Sequence, residues 1–272
     1  MSSGPAPAPL VVVLVEPAGP LNVGSVARLC ANFGVAELRL VAPRCDPTGE
    51  EARRMAVHGA GMLERARLFP TLAAALADCR RVAASSGRCS GEPLPLHDPA
   101  TALAWLRQPA TSAATALSPL ALVFGREDHG LSNEELLQAG RLLCIDTAGS
   151  YGSLNLAQAA AIVLHQWQQL SRPHPASPPA SPPPSQPPSA PAPWGPDPCE
   201  RASLEAMLAD AEALLLEVGF LYPHTAAARM AKLRALLQRS QPGDGEVALL
   251  RGMVRQLRWA SQRPGGRPGQ TP

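Results

Sequence analysis

The 272-residue chain is short of several things, and each shortage narrows what it can be. Lysine is nearly missing: Lys232 is the only one, so arginine carries almost all the positive charge. The formal net charge is only +2, which by itself points to no polyanionic partner. None of the six cysteines (Cys30, Cys45, Cys79, Cys89, Cys144, Cys199) forms a C-x-x-C pair. That spacing argues against zinc and, with no basic leader ahead of an apolar segment, against a disulfide framework. Reduced thiols in a cytoplasmic protein are expected. No run reaches the ~18 apolar residues that a spanning helix needs, so no membrane association is expected. Also missing are G-x-S-x-G, H-E-x-x-H and the Walker loop, and no metal is expected. The first strand is not followed by G-x-G-x-x-G, which disfavours a nicotinamide or flavin site.

Proline, by contrast, is abundant and concentrated. Residues 171–198 hold 13 prolines in 28 positions. Proline lacks an amide hydrogen and fixes φ, so this stretch reads as a polyproline II linker, able to span roughly 85 Å. It divides the chain into a domain over 8–170 and a helical segment over 199–260. In the first part, strand-like runs (11–15, 38–41, 81–84, 120–124, 142–145) alternate with helical spacing (22–33, 50–67, 71–78, 101–106, 133–139, 154–170). That alternation predicts an α/β fold with a largely parallel sheet. The second part predicts three amphipathic helices, over 202–218, 225–238 and 246–259. From Arg229 onward nine basic residues face two acids, Asp244 and Glu246. A phosphate-binding footprint and a solvated helix face both fit that charge.

Three stretches carry candidate chemistry. GPLNVGSVARLCANFG (19–34) turns from a strand into a helix. There Gly24 can admit a close backbone approach to a ligand, and Asn22 can cap the helix. Ser25, Arg28 and Asn32 fall on one narrow polar stripe, where Arg28 either pairs with a surface carboxylate or serves chemistry. FGREDHGLSNEEL (124–136) runs from a buried strand through a charged loop, where functional residues concentrate. Its Glu127 is a solvated acid or a site residue, His129 reads as an ordinary loop histidine, and Ser132-x-x-Glu135 reads as a capping box. YGSLNLAQA (151–159) joins a strand to a long helix. Ser153 can be its N-cap, and Asn155, a poor helix former, points to a role other than capping.

Taken in this order, N-x-G-x-x-A-R with N-F-G, F-G-R-E-x-x-G-L-S-N-E-E-L and S-L-N-L-A-x-A resemble the three motifs of the ribose-methylating SPOUT RNA methyltransferases. Beyond the linker, L-L-x-x-V-G-F and M-A-K-L-R-A-L-L-Q-R with L-L-R-G resemble the helical tail of TrmJ-type enzymes, which methylate the ribose 2′-hydroxyl at tRNA anticodon-loop position 32. The resemblance implies a trefoil-knotted α/β domain, a small C-terminal helical RNA-binding module, a homodimer, tRNA and not DNA as partner, and S-adenosylmethionine as cofactor. It places Ser85, Ser86, Gly87, Gly125, Ile145, Gly152, Ser153 and Leu154 around the cofactor. Arg28 takes the catalytic position, supported by Asn22, Glu127, Ser153 and Asn155. Two departures stand out: Gly152 replaces a common serine, and the long linker implies loosely coupled domains. Ordinary loop packing rules would argue against a knot, so that expectation rests on the resemblance alone. A guanidinium normally stays protonated, with a pKa above about 12, so Arg28 acts either as a strongly perturbed base or as an electrostatic stabiliser.

Overall fold

The computed structural model describes residues 8–87, 93–109, 117–147, 153–171 and 198–262. Seven strands form one parallel sheet: β1 (Leu10–Val15), β2 (Glu37–Val41), β3 (Arg67–Phe69), β4 (Arg81–Ser85), β5 (Leu96–His97), β6 (Leu120–Phe124) and β7 (Arg141–Leu143). Their order across the sheet is β3-β2-β1-β6-β4-β7-β5. The chain therefore passes to one side of β4 to form β6, then to the other side to form β7. This is the largely parallel α/β sheet that the alternation predicts.

Every residue of β1 is buried, as a strand covered on both faces requires. Its side chains divide with period two. Val12 and Leu14 pack with α1 (Pro20–Asn32), α2 (Glu50–Ala56), α5 (Pro99–Leu106) and α7 (Leu156–Ser171). Val11, Val13 and Val15 pack on the other face with α4 (Leu72–Leu76) and with Leu136 of the one-turn helix α6 (Asn133–Leu136). Arg39 is also buried in the sheet, where Asp78 (2.6 Å) and Glu37 (2.8 Å) neutralise it.

Four local expectations change. The helix expected over 50–67 breaks into α2, a 3₁₀ turn at Val57–Gly59 and α3 (Ala60–Glu64), then continues as strand β3. Val57 makes the break at φ 49°, a conformation a β-branched residue seldom adopts. β5 is a second strand that its two-residue length hid. Cys144 is disulfide-bonded, against the expectation of reduced thiols throughout. Among the free cysteines, burial pushes the Cys30 and Cys79 thiols up to about 12 and that of Cys199 to about 11, which leaves them unreactive.

The fourth change concerns the helical module, α8 (Arg201–Glu217), α9 (Pro223–Ser240) and α10 (Asp244–Ser261). It has its own core, in which Leu204, Met207 and Leu208 meet Met230 and Val247. It is not loosely coupled. Arg80 donates to the Pro198 carbonyl (3.1 Å) and to Asp244 (3.2 Å), and Trp105 Nε1 donates to Gln241 Oε1 (3.1 Å). The Arg201 and Ala202 amides donate to the Cys79 and Ala77 carbonyls (3.4 Å each). Ala235 of α9 completes the core on one face of the sheet. The linker's composition is silent on these contacts because, among the described residues, only its last one, Pro198, takes part in them.

Candidate active site

The carboxyl ends of β4, β6 and β7 and the start of α7 surround a cavity of about 440 Å³. It lies where the strand order reverses, at the outer ends of the strands, the usual ligand position in an open parallel sheet. Seven of the expected cofactor residues line it: Ser85, Ser86, Gly87, Gly125, Ile145, Ser153 and Leu154. Gly152 lies outside the described residues. Phe124, Leu131 and Leu156 add apolar walls, and Glu127 and Asp128 bring two acids to the lining. Its volume is that of a site for a medium-sized organic ligand. Apolar walls suit an adenine ring, and carboxylates suit a sulfonium or ammonium charge. These residues fit S-adenosylmethionine.

Beside the cavity, three sequence-distant side chains form one hydrogen-bonded chain. Helix α1 begins with Pro20 at its first position, and its N-cap, Gly19, has no side chain to offer. Glu127, from the loop after β6, supplies the missing acceptor. The Ala18 amide donates to its Oε2, and the Gly19 amide and Asn22 Nδ2 donate to its Oε1, each at 3.0 Å. A carboxylate suits the positive end of a helix. Asn155 Nδ2 then donates to Asn22 Oδ1 (3.0 Å), while Asn155 Oδ1 accepts the Ala157 amide (2.9 Å). Burial opposes ionisation of Glu127, but the Ala18, Asn22 and Gly19 donors outweigh it and hold the carboxyl below its ordinary range.

Several expectations shift. Asn22 sits inside the first turn of α1 and does not cap it; Glu127 takes that part from another loop. Asn155 does cap, at the start of α7, and its amide nitrogen serves Asn22 as well. Gly24 faces α2, not a ligand. A Cβ there would lie 2.1 Å from the Ala52 carbonyl oxygen. Ser132 and Glu135 form the expected capping box.

Arg28 stands on the exposed side of α1, outside the cavity lining, and has no hydrogen-bond or ion-pair partner among the described residues. The carboxylate that a purely structural arginine requires is therefore missing there. Beneath it, Gly59 packs so closely that a Cβ would come within 2.7 Å of the Arg28 Cα.

Sequence reasoning missed a second charged group. Arg126 makes a fork with Glu135 (2.8 and 2.9 Å) and reaches Glu16 at the end of β1. The Glu135 and Glu16 carboxylates push the Arg126 guanidinium up. Hydrogen bonding to Arg126 holds Glu16 below its ordinary value. Burial opposes ionisation of Glu135, but Arg126 and the Ser132 amide keep it low as well. Glu16 adopts φ 43° there. The signal was present in the sequence as a lone acid directly after an apolar strand.

A model of the SpoU rRNA methylase family matches residues 9–165, and a model of the TrmJ C-terminal domain matches residues 202–266. The tRNA (cytidine/uridine-2′-O-)-methyltransferase TrmJ of Cronobacter sakazakii is 33% identical over 243 residues, covering 89% of this chain and 93% of its own length. The tRNA (cytidine/uridine/adenosine-2′-O-)-methyltransferase TrmJ of Pseudomonas aeruginosa is 33% identical over 246 residues, covering 89% and 91%. The crystal structure of TrmJ from Z. mobilis superposes with a TM-score of 0.74 at 29% identity, covering 93% of this chain and 99% of that one.

Proposed function

The chain belongs to the SpoU rRNA methylase family, and from that premise we propose that it methylates a ribose 2′-hydroxyl of tRNA, at anticodon-loop position 32, using S-adenosylmethionine. The observation that carries this reading is the hydrogen-bonded chain Glu127–Asn22–Asn155. It joins the three motifs beside the cavity and holds the helix that presents Arg28.

The cofactor supplies an electrophilic methyl group on a sulfonium. Ser85, Ser86, Gly87, Gly125, Ile145, Ser153 and Leu154 hold it, chiefly through backbone groups and apolar contact. Gly152 belongs to the same set by resemblance. Glu127 and Asn155 fix the start of α1 and α7, so the substrate oxygen meets a preset geometry, and positioning of this kind supplies much of the rate in such a transfer. Arg28 binds the RNA phosphate and stabilises the negative charge that develops on the ribose oxygen. Ser153 lines the cavity two residues ahead of Asn155 and supports the same region.

The working unit is a homodimer. Leu21 on α1 and Ile162 on α7 leave apolar side chains exposed on two touching helices, and Arg28 projects from the exposed side of α1. The catalytic domain over 8–170 and the RNA-binding extension over 199–260 act together on a tRNA in the cytoplasm. No helix among the described residues is long and apolar enough to cross a membrane.

The test is transfer of tritiated methyl groups to total tRNA from a strain lacking this modification, followed by mapping of the labelled nucleotide. Label at the 2′-oxygen of position 32 is expected. Label in ribosomal RNA alone would overturn the tRNA assignment. Arg28→Ala should abolish transfer while S-adenosylmethionine still binds. Near-normal turnover in that variant would remove Arg28 from the chemistry.

A further inference from the structure

The chain has few aromatic residues, 4% of the total. Those of the catalytic domain that the structure describes are buried or half-buried: Phe33, Phe69, Trp105, Phe124 and Trp167. Among the described residues, the three exposed ones all lie in the helical module. Phe220 is 61% exposed, Tyr222 55% and Trp259 50%. Burying a ring is what ordinarily repays its apolar surface, so the exposed Phe220 and Tyr222 rings mark an interaction surface.

They also share one end of the module. Phe220 and Tyr222 flank the buried Leu221 in the turn between α8 and α9, and so alternate outward around it. Trp259 lies in the last turns of α10. That end is tied to the end of α8, because Gln262 donates to Glu217 (3.0 Å) and Arg258 pairs with the same carboxylate (3.6 Å).

Cations and flat groups accompany the rings. The Arg229 guanidinium sits 5.8 Å from the centre of the Phe220 ring and donates to the Phe220 carbonyl (2.9 Å). The Tyr222 ring stacks on His224, with centroids 6.0 Å apart and planes 22° apart. Arg229 and Arg255 are exposed nearby on the same module. Flat faces for bases next to guanidinium groups for phosphates are what an unpaired stretch of nucleic acid requires. A purely apolar protein partner would leave these cations buried and unpaired.

We infer that Phe220 and Tyr222, with Arg229, form a stacking platform for unpaired nucleotides of the RNA substrate. This rests on the tRNA reading above and names where, outside the catalytic domain, the tRNA is held. The platform is sequence-tolerant, because every base offers a π-face. It sorts folded RNAs by whether unpaired bases are presented at the right distance from the reacting ribose.

The experiment is tRNA binding by the full chain across a salt series, with wild type, Phe220→Ala, Tyr222→Ala, Phe220→Trp and Arg229→Gln. Each alanine variant should weaken tRNA binding about tenfold, within the range for loss of one base–aromatic stack. The slope of log affinity against log salt should stay at the wild-type value in the ring variants, since they remove no charge. It should fall by about one in Arg229→Gln. Phe220→Trp should bind as wild type. S-adenosylmethionine binding and the helical circular-dichroism signal should not change in any variant, which confirms that the sheet domain and the module are both folded. Alanine variants that bind tRNA as wild type would overturn the platform. So would a ring variant that changes only the oligomeric state, which would make this surface a contact between copies. A wild-type chain that binds no tRNA at all would instead remove the reading on which the inference rests.

Discussion

Glu127 shows how much one side chain carries. In the sequence it stood as an acid in a charged loop, and its neighbours could not reveal a partner that lies 108 residues earlier, at Gly19. The sequence offered Asn22 as the cap of a helix read from residue 22; the helix instead starts at Pro20 on a Gly19 cap that has no side chain, so the acceptor comes from elsewhere. Glu127→Ala leaves the Ala18 and Gly19 amides and Asn22 without their acceptor. A loss of about 1–3 kcal/mol is expected by thermal or denaturant unfolding. Methyl transfer should fall further than stability does, because Arg28 rides on the helix so anchored. Glu127→Gln keeps an acceptor oxygen and should lie between wild type and alanine in both measurements. The pH dependence has a definite sign. Glu16, Glu127 and Glu135 all titrate below their ordinary value in the folded chain. Their contribution is therefore complete above the unfolded carboxylate range, near 4, and is lost as pH falls through the lowered folded values. Unfolding followed from pH 7 downward should show stability flat to about pH 5 and falling below it. In Glu127→Gln that fall should be shallower.

At the level of elements, the alternation of apolar runs showed the sheet and most helices because those runs are long and periodic. The short pieces were hidden. β5 has two residues and β3 has three, too few to show a period. The 50–67 segment kept helical spacing through the break at Val57, because the break is made by one strained residue and by close packing, not by proline. That packing also explains two glycines. Gly24 and Gly59 let α1 settle onto α2 and the turn after it, and the latter contact lies directly under Arg28. Gly59→Ala should therefore push α1 outward at Arg28. A stability loss of about 1–3 kcal/mol is expected from the overpacking. The kcat should drop while the cofactor Kd stays near wild type, since the cavity is built from other loops. Equal losses in both would show that the displacement spreads to the cavity.

At the scale of the whole molecule, the division into a sheet domain and a helical module was legible from composition, and the contact between them was not. It depends on single residues scattered through both parts: Arg80, Trp105, Asp244 and Gln241. Of these only Asp244 drew notice in the sequence, as one of two acids in a basic tail. The contact makes the module a fixed extension of the catalytic domain. Trp105→Phe combined with Asp244→Asn should cost about 1 kcal/mol for each lost hydrogen bond. It should also separate one unfolding transition into two, measured by hydrogen exchange of the backbone amides of β1 and of α8. A single unchanged transition would show that the apolar contact around Ala235 suffices to hold the parts together.

The same contact changes what the proline tract is for. Ser171 and Pro198, its first and last residues, both belong to the folded body, Ser171 through the Trp167 carbonyl and Pro198 through Arg80. As a tether between those two anchored ends, the tract contributes an effective concentration for the docking of the two parts. A chain severed between residues 172 and 197 becomes two polypeptides that are each other's ligand. The cut converts an intramolecular docking step into a bimolecular one. Methylation should then survive at high protein concentration and fade on dilution, and the dilution midpoint would read out, as a dissociation constant, the strength of the interface that the intact chain conceals.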